Sequence, residues 1–398
     1  MSRVVVAIAA AAAILVSCIT GASADDATGT QPNPCAVPNE INASIEETAW
    51  RIWVAATCPV NTNQYPFVVW ENWIEQSQFY PTDPSNGLKV PNSGASTINH
   101  PLHESPLTLA LNPSLRLKGL PGAPDTNCNK AGAPPPNQPN LIICEEVREN
   151  GATEDYIAGT NLWNRSGQQQ AAANKDDIQF PRSAVEIKAD WIELTSIGYD
   201  CNNLPPGFTD TIHVETINGG CFAMAGMHLI SKLVDKWIWA TFEPQNSITN
   251  PFRCQVLGCY DPFGSRPARS QGANTQLSPE LAALMDAANL APEWRNYRLD
   301  AVQTDFFAPR LLGNSIIEGE NVGMNLKQAS CISCHDVSSV KSDGTDGINL
   351  LAAMTNPPVG APKPLPSSDW IHRDFVWSLG LACPNGPGQI GSLQSCAQ

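Results

Sequence analysis

The 398-residue sequence predicts an α+β fold, with a mixed, largely antiparallel sheet, Trp-rich helices and disulfide cross-links. Two strand patterns and one helix pattern support this prediction. Residues Val185 to Trp191 alternate apolar and charged side chains, and Thr211 to Ile217 alternate in the same way. Ser44 and Glu47 form a capping-box pattern that opens a segment with apolar residues at helical spacing.

The first helix is expected to run to about Thr57, where Cys58-Pro59 ends it. A second apolar, Trp-rich segment, Phe67 to Phe79, also has large side chains at helical spacing. The stretch from Pro81 to Pro139 is rich in Pro, Asn, Ser and Gly, which predicts a long loop. Further along the chain, Ser278 begins a short helix, Tyr297 begins a strand, and Asp369 to Leu381 is expected to form a last short helix.

The segment from Phe222 to Phe242 predicts a hairpin of two buried strands, because β-branched and aromatic residues flank a charged centre. On a strand, Met224 and His228 share one face, and Met227 points to the other. A single long helix is the alternative, and it would bring all three side chains together. In both cases His228 lies in an apolar setting, where an imidazole without a partner is costly.

The N-terminus has the form of a secretory signal. Arg3 precedes an apolar run from Val4 to Val16, and Ala24 ends an Ala-x-Ala pattern. We interpret residues 1–24 as a signal peptide and residues 25–398 as a single large unit. A second interpretation makes Cys18 a lipidated cysteine that anchors the protein to a membrane. Both interpretations export the chain to the bacterial periplasm or beyond, and no other stretch is long and apolar enough to span a bilayer.

Cysteine usage fits an oxidising compartment. Of 13 cysteines, 12 follow the signal, and ten of these lie outside the Cys331–Cys334 pair discussed below. These ten are expected to form disulfides, with near neighbours such as Cys254 with Cys259 and Cys128 with Cys144 as the first expected pairs. They are Cys35, Cys58, Cys128, Cys144, Cys201, Cys221, Cys254, Cys259, Cys383 and Cys396.

The formal net charge of −15 argues against nucleic acid and anionic membranes as partners. It is compatible with a basic redox partner protein, although a solvated acidic surface is the commoner explanation of such a charge. His100, His103 and Glu104 lie in the long loop, where an exposed turn is favoured over a metal site. His213 is interpreted as a surface residue of its strand.

The strongest motif is Cys331-Ile332-Ser333-Cys334-His335. Two cysteines at this spacing with a histidine directly after them are typical of covalent haem c attachment. The two thiols add to neighbouring vinyl groups, and the imidazole of His335 becomes the proximal iron ligand. A thioredoxin-like dithiol also has Cys-x-x-Cys, but the βαβ pattern that accompanies it does not surround this motif. We therefore predict one covalent haem c, with an attachment segment of residues 310–398.

The sixth iron position decides between electron transfer and ligand chemistry. His228 is the favoured candidate, either as iron ligand or as a distal acid/base, and a buried histidine with an ordinary polar partner is the alternative. Met354 follows the motif too closely for a small class I cytochrome. The remaining candidates are Met224, Met227, Met324, Met354, His213 and His372.

Segments across most of the mature chain resemble large exported bacterial monohaem "cytochrome c family" proteins. The matching segments are 49–53, 69–73, 180–181, 184–189, 226–232, 237–243 and 313–335. The resemblance implies a single large unit with Cys331, Cys334 and His335 as haem ligands, and it places His228 in a family motif. This chain departs from the family pattern at Pro244, where the family has a histidine.

Three functions follow from these observations. The first is an exported monohaem c-type cytochrome that transfers one electron through its haem. The second is a haem peroxidase or oxidase with an open distal site, which the length of the chain favours, because carrying an electron needs far less chain. The third is a sensor in which the haem reports a ligand or a redox state.

Overall fold

The computed structural model describes residues 33–60, 67–81, 83–88, 100, 102, 128–130, 137–245, 248, 253–270, 275–306, 313–347, 350, 362 and 364–384. Residues from Pro34 onward form one compact unit. The predicted signal peptide with Cys18, the loop residues His103 and Glu104, and the candidate ligand Met354 lie outside the described residues.

The centre of the fold is an eight-stranded antiparallel sheet within the described part of the chain. Its strands are β1 (Ile74–Glu75), β2 (Asn129–Lys130), β3 (Ile142–Glu149), β4 (Val185–Glu193), β5 (Val214–Ile217), β6 (Gly220–Ser231), β7 (Ile238–Pro244) and β8 (Tyr297–Gln303). The order across the sheet is β8-β7-β6-β4-β3-β1, with β2 beside β3 and β5 beside β6. Every pairing is antiparallel, so the expected α+β class holds and the sheet contains no parallel pair among these strands.

Shorter elements surround the sheet. The α-helices are α1 (Ile45–Ala56), α2 (Gln76–Phe79), α3 (Gly151–Gly159), α4 (Arg165–Asn174), α5 (Arg253–Leu257), α6 (Pro279–Ala287) and α7 (Cys331–His335). A π-helix spans Ser315–Asn321. The 3₁₀ turns are Val69–Asn72, Pro84–Asn86, Leu194–Ile197, Phe208–Asp210, Glu293–Asn296, Leu326–Gln328 and Ser378–Leu381. Two-stranded pairs join Pro59–Val60 to Phe67–Val68, Cys259–Tyr260 to Arg269–Ser270, and Ser265–Arg266 to Gln276–Leu277. A last pair joins β9 (Ser339–Lys341) to β10 (Trp370–His372).

One face of the sheet is an apolar core. Alternation along β4 turns Ile187 and Trp191 to this face, where they are fully buried. Helix α1 covers it, and the ring of Trp53 stacks on that of Phe242 with centroids 4.3 Å apart. Such aromatic pairs contribute about 0.5–1.5 kcal/mol beyond the area they bury. Helix α1 begins as the capping box predicts, because Ser44 Oγ accepts the Glu47 N–H at 3.0 Å.

The opposite face carries charged and polar side chains that are also buried. The alternate residues of β4, Glu186, Lys188 and Asp190, point to this face, and His228 lies opposite Lys188 on β6. The π-helix and α7 pack over this side. The two faces of one sheet therefore have different chemistry, and the Cys-x-x-Cys-His motif lies on the polar face.

The predicted hairpin is confirmed as strands β6 and β7, and the predicted strands at Val185 and Tyr297 are β4 and β8. One detail of the hairpin prediction is wrong. A register shift opposite Asp190 and Trp191 breaks the alternation of β6 near Ala225. Met224 therefore joins Met227 in the apolar core and does not share the face of His228.

Two helix predictions are wrong. The segment from Phe67 to Phe79 forms short strands, a 3₁₀ turn and one helical turn, because Glu71 folds back to accept the Val68 N–H at 2.8 Å and Trp73 is extended. The segment from Asp369 to Leu381 forms β10 and a 3₁₀ turn. Asp374 and Phe375 have positive φ values, which a right-handed helix excludes.

Four disulfides join Cys35 to Cys58, Cys128 to Cys144, Cys201 to Cys221, and Cys254 to Cys259. The two pairs expected from proximity in sequence are confirmed. Cys383 is disulfide-bonded as well, and the remaining predicted disulfide cysteine, Cys396, lies outside the described residues. This usage indicates a protein folded in an oxidising compartment. Within the described ranges, no helix is both long and apolar enough to cross a bilayer.

Gly226→Ala tests how the sheet holds the π-helix. A Cβ at Gly226 would lie 2.7 Å from Asn314 Oδ1. Asn314 cannot move away easily, because its side chain accepts from Ile316 N at 2.9 Å and donates to Thr241 Oγ1 at 3.0 Å. We expect a loss of about 1–3 kcal/mol in the free energy of unfolding, measured by urea denaturation.

Gly151→Ala is the matched control, since a Cβ there meets open space at a helix start. The control is expected to change stability by less than about 0.5 kcal/mol or to increase it slightly. Equal stability of the two variants would contradict the proposed contact.

Candidate functional site

Helix α7 holds the Cys-x-x-Cys-His motif at the end of the sheet. Ile332 is fully buried in the apolar cluster that also contains Trp239 and Leu379. Ser330, just before the helix, is fixed by Gln303 at the end of β8, whose Nε2 donates to Ser330 Oγ at 3.2 Å. Burial of Ile332 therefore anchors the motif on this cluster, against which Cys331 also packs.

The imidazole of His335 is oriented by a backbone carbonyl. His335 Nδ1 lies 2.8 Å from the carbonyl oxygen of Phe375. Because a carbonyl only accepts, Nδ1 carries the proton and Nε2 keeps its lone pair. Burial lowers the pKa of His335 to about 4, so the ring is neutral at pH 7. A neutral histidine with its second nitrogen fixed in this way is the usual form of a metal-ligating imidazole.

A strained backbone presents that carbonyl. Asp374 and Phe375 have φ values of 49° and 70°, a region that costs non-glycine residues roughly 1–2 kcal/mol each. Two buried contacts hold the turn, since the Asp374 carboxylate pairs with Lys232 Nζ at 2.5 Å and accepts the Phe180 N–H at 2.8 Å. The strain is thus located at the residues that position His335, and sequence reasoning missed it.

The two motif cysteines are not joined to each other, and both are partly buried. Burial raises the pKa of the Cys334 thiol to about 12 and raises that of Cys331 well above its usual value. A redox-active dithiol has the opposite property, because at least one of its cysteines has a lowered pKa. The thiols of this site are therefore unsuited to thioredoxin-like exchange.

His335 and His228 line the same cleft, which contains about 340 Å³ of empty space. Its walls also include Cys331, Glu186, Lys188, Ile230 and Trp239. The ring of Trp239 lies 4.7 Å from that of His335. The structure therefore brings the predicted proximal histidine and the favoured distal histidine to one cleft, although they are far apart in the sequence.

His228 is held by Glu318 of the π-helix. Its Nε2 lies 2.9 Å from Glu318 Oε1, and Glu318 Oε2 accepts the Asn314 N–H at 2.8 Å. Burial works against ionisation of Glu318, but His228 and the Asn314 N–H hold its pKa below the usual value, so it is a carboxylate. His228 Nε2 therefore donates to this carboxylate, which leaves Nδ1 as the other ring nitrogen. That Nδ1 is buried and has no hydrogen-bond partner among the described residues.

Charged groups complete the wall of the cleft beside His228. Lys188 Nζ pairs with Glu145 at 2.6 Å, and although burial opposes its charge, Glu145 and Asp190 raise the pKa of Lys188 above its usual value. Burial raises the pKa of Glu186 to about 7, and that of Asp190 also to about 7. Asn321 donates to Asp190 at 2.7 Å. The wall of the cleft therefore holds a fixed ammonium and one carboxyl group, that of Glu186, which changes protonation near neutral pH.

The other candidate iron ligands among the described residues do not line the cleft. Met224 and Met227 are fully buried in the apolar core. Met324 is not among the lining residues. His372 is exposed and its Nδ1 donates to the Asp336 carbonyl at 3.0 Å. His213 lies on the other face of the sheet and is buried, so its interpretation as a surface residue was wrong.

His100 is also buried, contrary to the expected exposed turn, because Glu146 and the ring of Trp191 enclose it. Glu318, Lys188 and Phe375 belong to the site and were not singled out from the sequence. The one related signal is the alternation of apolar and charged residues along β4, and it predicts that the charged side chains face solvent.

The chain matches no protein-family model, no curated protein sequence and no solved structure. The resemblance to the large exported monohaem proteins therefore stays a prediction. The function has to be inferred from the residues of the cleft.

Glu186→Gln tests the buried carboxyl groups. In the unfolded chain Glu186 ionises near pH 4.5, whereas the folded chain keeps its proton until about pH 7. The folded state thus binds the proton more tightly, and raising the pH from 4.5 to 7 lowers the free energy of unfolding. The variant lacks this loss, so we expect it to be about 2–3 kcal/mol more stable than the wild type at pH 8 and similar at pH 5.

The measurement is urea unfolding at several pH values, with Glu280→Gln as control, because Glu280 lies on the surface with Arg266. The control should keep the pH dependence of the wild type. An unchanged pH dependence in Glu186→Gln would show that the carboxyl group is ionised in the folded protein.

Proposed function

We propose that this protein is an exported monohaem c-type cytochrome that transfers one electron through a covalently attached haem. The observation that carries the proposal is the geometry of the motif. Cys331 and Cys334 stand on one helical turn, and His335 directs a neutral imidazole whose Nδ1 is already satisfied. The residues fit a haem, because Cys331 and His335 line the cleft, and the thiol of Cys334, one helical turn from Cys331, is not in a disulfide.

Each residue has a specific role in this proposal. Cys331 and Cys334 form the thioether links, and His335 Nε2 binds the iron. Phe375 fixes the plane of the imidazole through its carbonyl, and Trp239 packs against the ring. The haem supplies an iron that takes up and releases one electron. Covalent attachment and a fixed imidazole keep this centre in place while its charge changes.

His228 is the proposed sixth ligand. Its Nδ1 is buried and lacks a hydrogen-bond partner among the described residues, and in the neutral ring this atom carries the lone pair that would bind iron. Glu318 holds the other ring nitrogen, as carboxylates do for ligating histidines elsewhere. Two strong axial ligands leave no open position, and electron transfer is then the remaining chemistry.

The second candidate function is a haem enzyme that acts on peroxide or another small ligand. The polar wall of the cleft favours it, since Lys188 and Glu186 both line the space beside His228. In that case His228 would accept and return a proton through Nδ1, and Lys188 would stabilise a bound anion. A sensor would share the open site but bind its ligand without turnover.

The compartment and partner follow from the same chemistry. Disulfides and c-type attachment belong to an exported protein, and the net charge of −15 favours a basic electron donor or acceptor. Oxidation of the reduced protein by a basic soluble cytochrome would then slow as salt is added, whereas an acidic partner would show the opposite trend.

Variants of the motif test the haem itself. We expect Cys331→Ala or Cys334→Ala to lose a thioether, which shifts the pyridine haemochrome spectrum, and His335→Ala to lose low-spin iron. The protein is expressed with a c-type maturation system and export. His372→Ala is the control, since this exposed histidine is near the motif but bonds to the Asp336 carbonyl. An unchanged haem c spectrum in all three motif variants would end the proposal.

The optical and EPR spectra with and without carbon monoxide separate the two functions. A low-spin iron that ignores carbon monoxide, and that becomes high-spin in His228→Ala, supports electron transfer with His228 as ligand. A high-spin iron that binds carbon monoxide at once supports the open site. Peroxide turnover then decides between an enzyme and a sensor, with His228→Ala expected to lower turnover by about 10²–10⁴-fold if His228 is the acid/base.

A further inference from the structure

A second group of ligand-type side chains lies on the apolar face of the sheet, away from the cleft. Glu71 comes from the 3₁₀ turn at Val69–Asn72, and His213 and Glu215 come from the start of β5. Glu71 and His213 are buried, whereas the side chain of Glu215 is about one third exposed. Residues 213 and 215 are two apart on an extended chain, so their side chains point the same way.

The separations within this group are those of a metal coordination sphere. His213 Nε2 lies 2.9 Å from Glu71 Oε1 and 3.5 Å from Glu215 Oε1. One donor atom from each residue lies within 4.8 Å of the other two. Around an ion with bonds of roughly 2.0–2.2 Å, neighbouring ligand atoms are roughly 3.0–3.5 Å apart. A metal would therefore need only small side-chain adjustments.

The charges of the group also favour a cation. One ring nitrogen of His213 faces two carboxylates, and a single N–H can satisfy only one of them well. The other buried histidines differ in this respect, because the ring of His100 bonds to Glu146 and that of His228 to Glu318 alone. A dication at His213 Nε2 would neutralise both carboxylates at once.

The second oxygen of Glu71 is already used. Glu71 Oε2 accepts the Val68 N–H at 2.8 Å, which leaves Oε1 directed at His213. The ring of His213 stacks on that of Trp294 with centroids 4.3 Å apart, so its orientation is fixed as well. Two of the three donors are thus held in place before any ion arrives, and the partly exposed Glu215 leaves a path for the ion and for water.

We propose that Glu71, His213 and Glu215 bind one divalent transition-metal ion, such as zinc or manganese, with water completing its coordination. One imidazole and two carboxylates suit these ions. The site is independent of the haem, because the group lies on the other face of the sheet. Its alternative is a buried histidine–glutamate hydrogen bond with Glu215 as a bystander.

Metal titration of the full-length, haem-loaded protein tests the site after treatment with a chelator. Zn²⁺ binding is measured by calorimetry, and Mn²⁺ binding by loss of the free-ion EPR signal. We expect one ion per chain at micromolar or lower concentration. Glu215→Gln should weaken binding by at least about tenfold, because it removes one ligand charge from a partly exposed position and leaves the core intact.

Glu293→Gln is the matched control. Glu293 is close enough to interact electrostatically with His213, and its substitution removes the same charge without removing a donor of the group. We expect less than about a threefold change there, since such an effect passes through screened charge alone. His213→Gln and Glu71→Gln complete the series, with circular dichroism to confirm folding.

The outcomes are distinct. Binding of one ion that Glu215→Gln weakens and Glu293→Gln spares supports the site. Absence of both Zn²⁺ and Mn²⁺ binding, or equal affinity in Glu215→Gln and wild type, overturns it. If haem is missing, Cys331 and Cys334 become free to bind zinc, so a Cys331→Ser/Cys334→Ser variant separates that binding from this site. Mn²⁺, which prefers oxygen ligands, reports on the carboxylates without the thiols.

Discussion

The constraint on which this structure depends is the burial of charged side chains on one face of β4. Glu186, Lys188 and Asp190 alternate along a strand in the middle of the sheet, so the same pleat that builds the apolar core turns them into the opposite interior. An unpaired charge there would cost several kcal/mol. Each of the three groups avoids this cost in a different way. Lys188 pairs with Glu145, Asp190 accepts a hydrogen bond from Asn321, and burial keeps Glu186 protonated up to about pH 7.

The π-helix supplies the polar partners that these buried side chains require. It supplies Asn321 to Asp190 and Glu318 to His228, and Asn314 ties its start to β7. π-Helical turns are uncommon and occur often at functional sites. Here the wider turn supplies partners to two neighbouring strands of the sheet. The wall of the cleft beside His228 is therefore a consequence of neutralising the sheet, and Nδ1 of His228 is left without a hydrogen-bond partner in the described part of the chain.

Parts of this architecture could be predicted from the sequence because local chemistry determines them. The motif at Cys331–His335 has a fixed spacing, the helix at Ile45 has a capping box, and the hairpin at Phe222–Phe242 has its charged centre. Other parts depend on distant neighbours. The apolar residues at Phe67–Phe79 have helical spacing, but the segment is not one helix, because Glu71 accepts a hydrogen bond from Val68 in its own turn and contacts His213 with its other oxygen.

Sequence patterns mislead where both faces of a strand, or a loop beside it, are buried. Alternation predicts His213 at the surface and Met224 on the face of His228, whereas the polar composition of its loop predicts an exposed His100. A register shift in β6 and carboxylates from other elements changed all three outcomes. Contacts between residues far apart in the chain carry no local signal.

The turn at Asp374–Phe375 also has a consequence for how the protein matures. The carbonyl that orients His335 lies 40 residues after it in the chain, so it leaves the ribosome later than the motif does. A chain truncated before Phe375 would keep Cys331, Cys334 and His335 but would lack the contact that fixes the imidazole. The orientation of the motif histidine is therefore complete only after the C-terminal segment has been synthesised and has folded back onto α7.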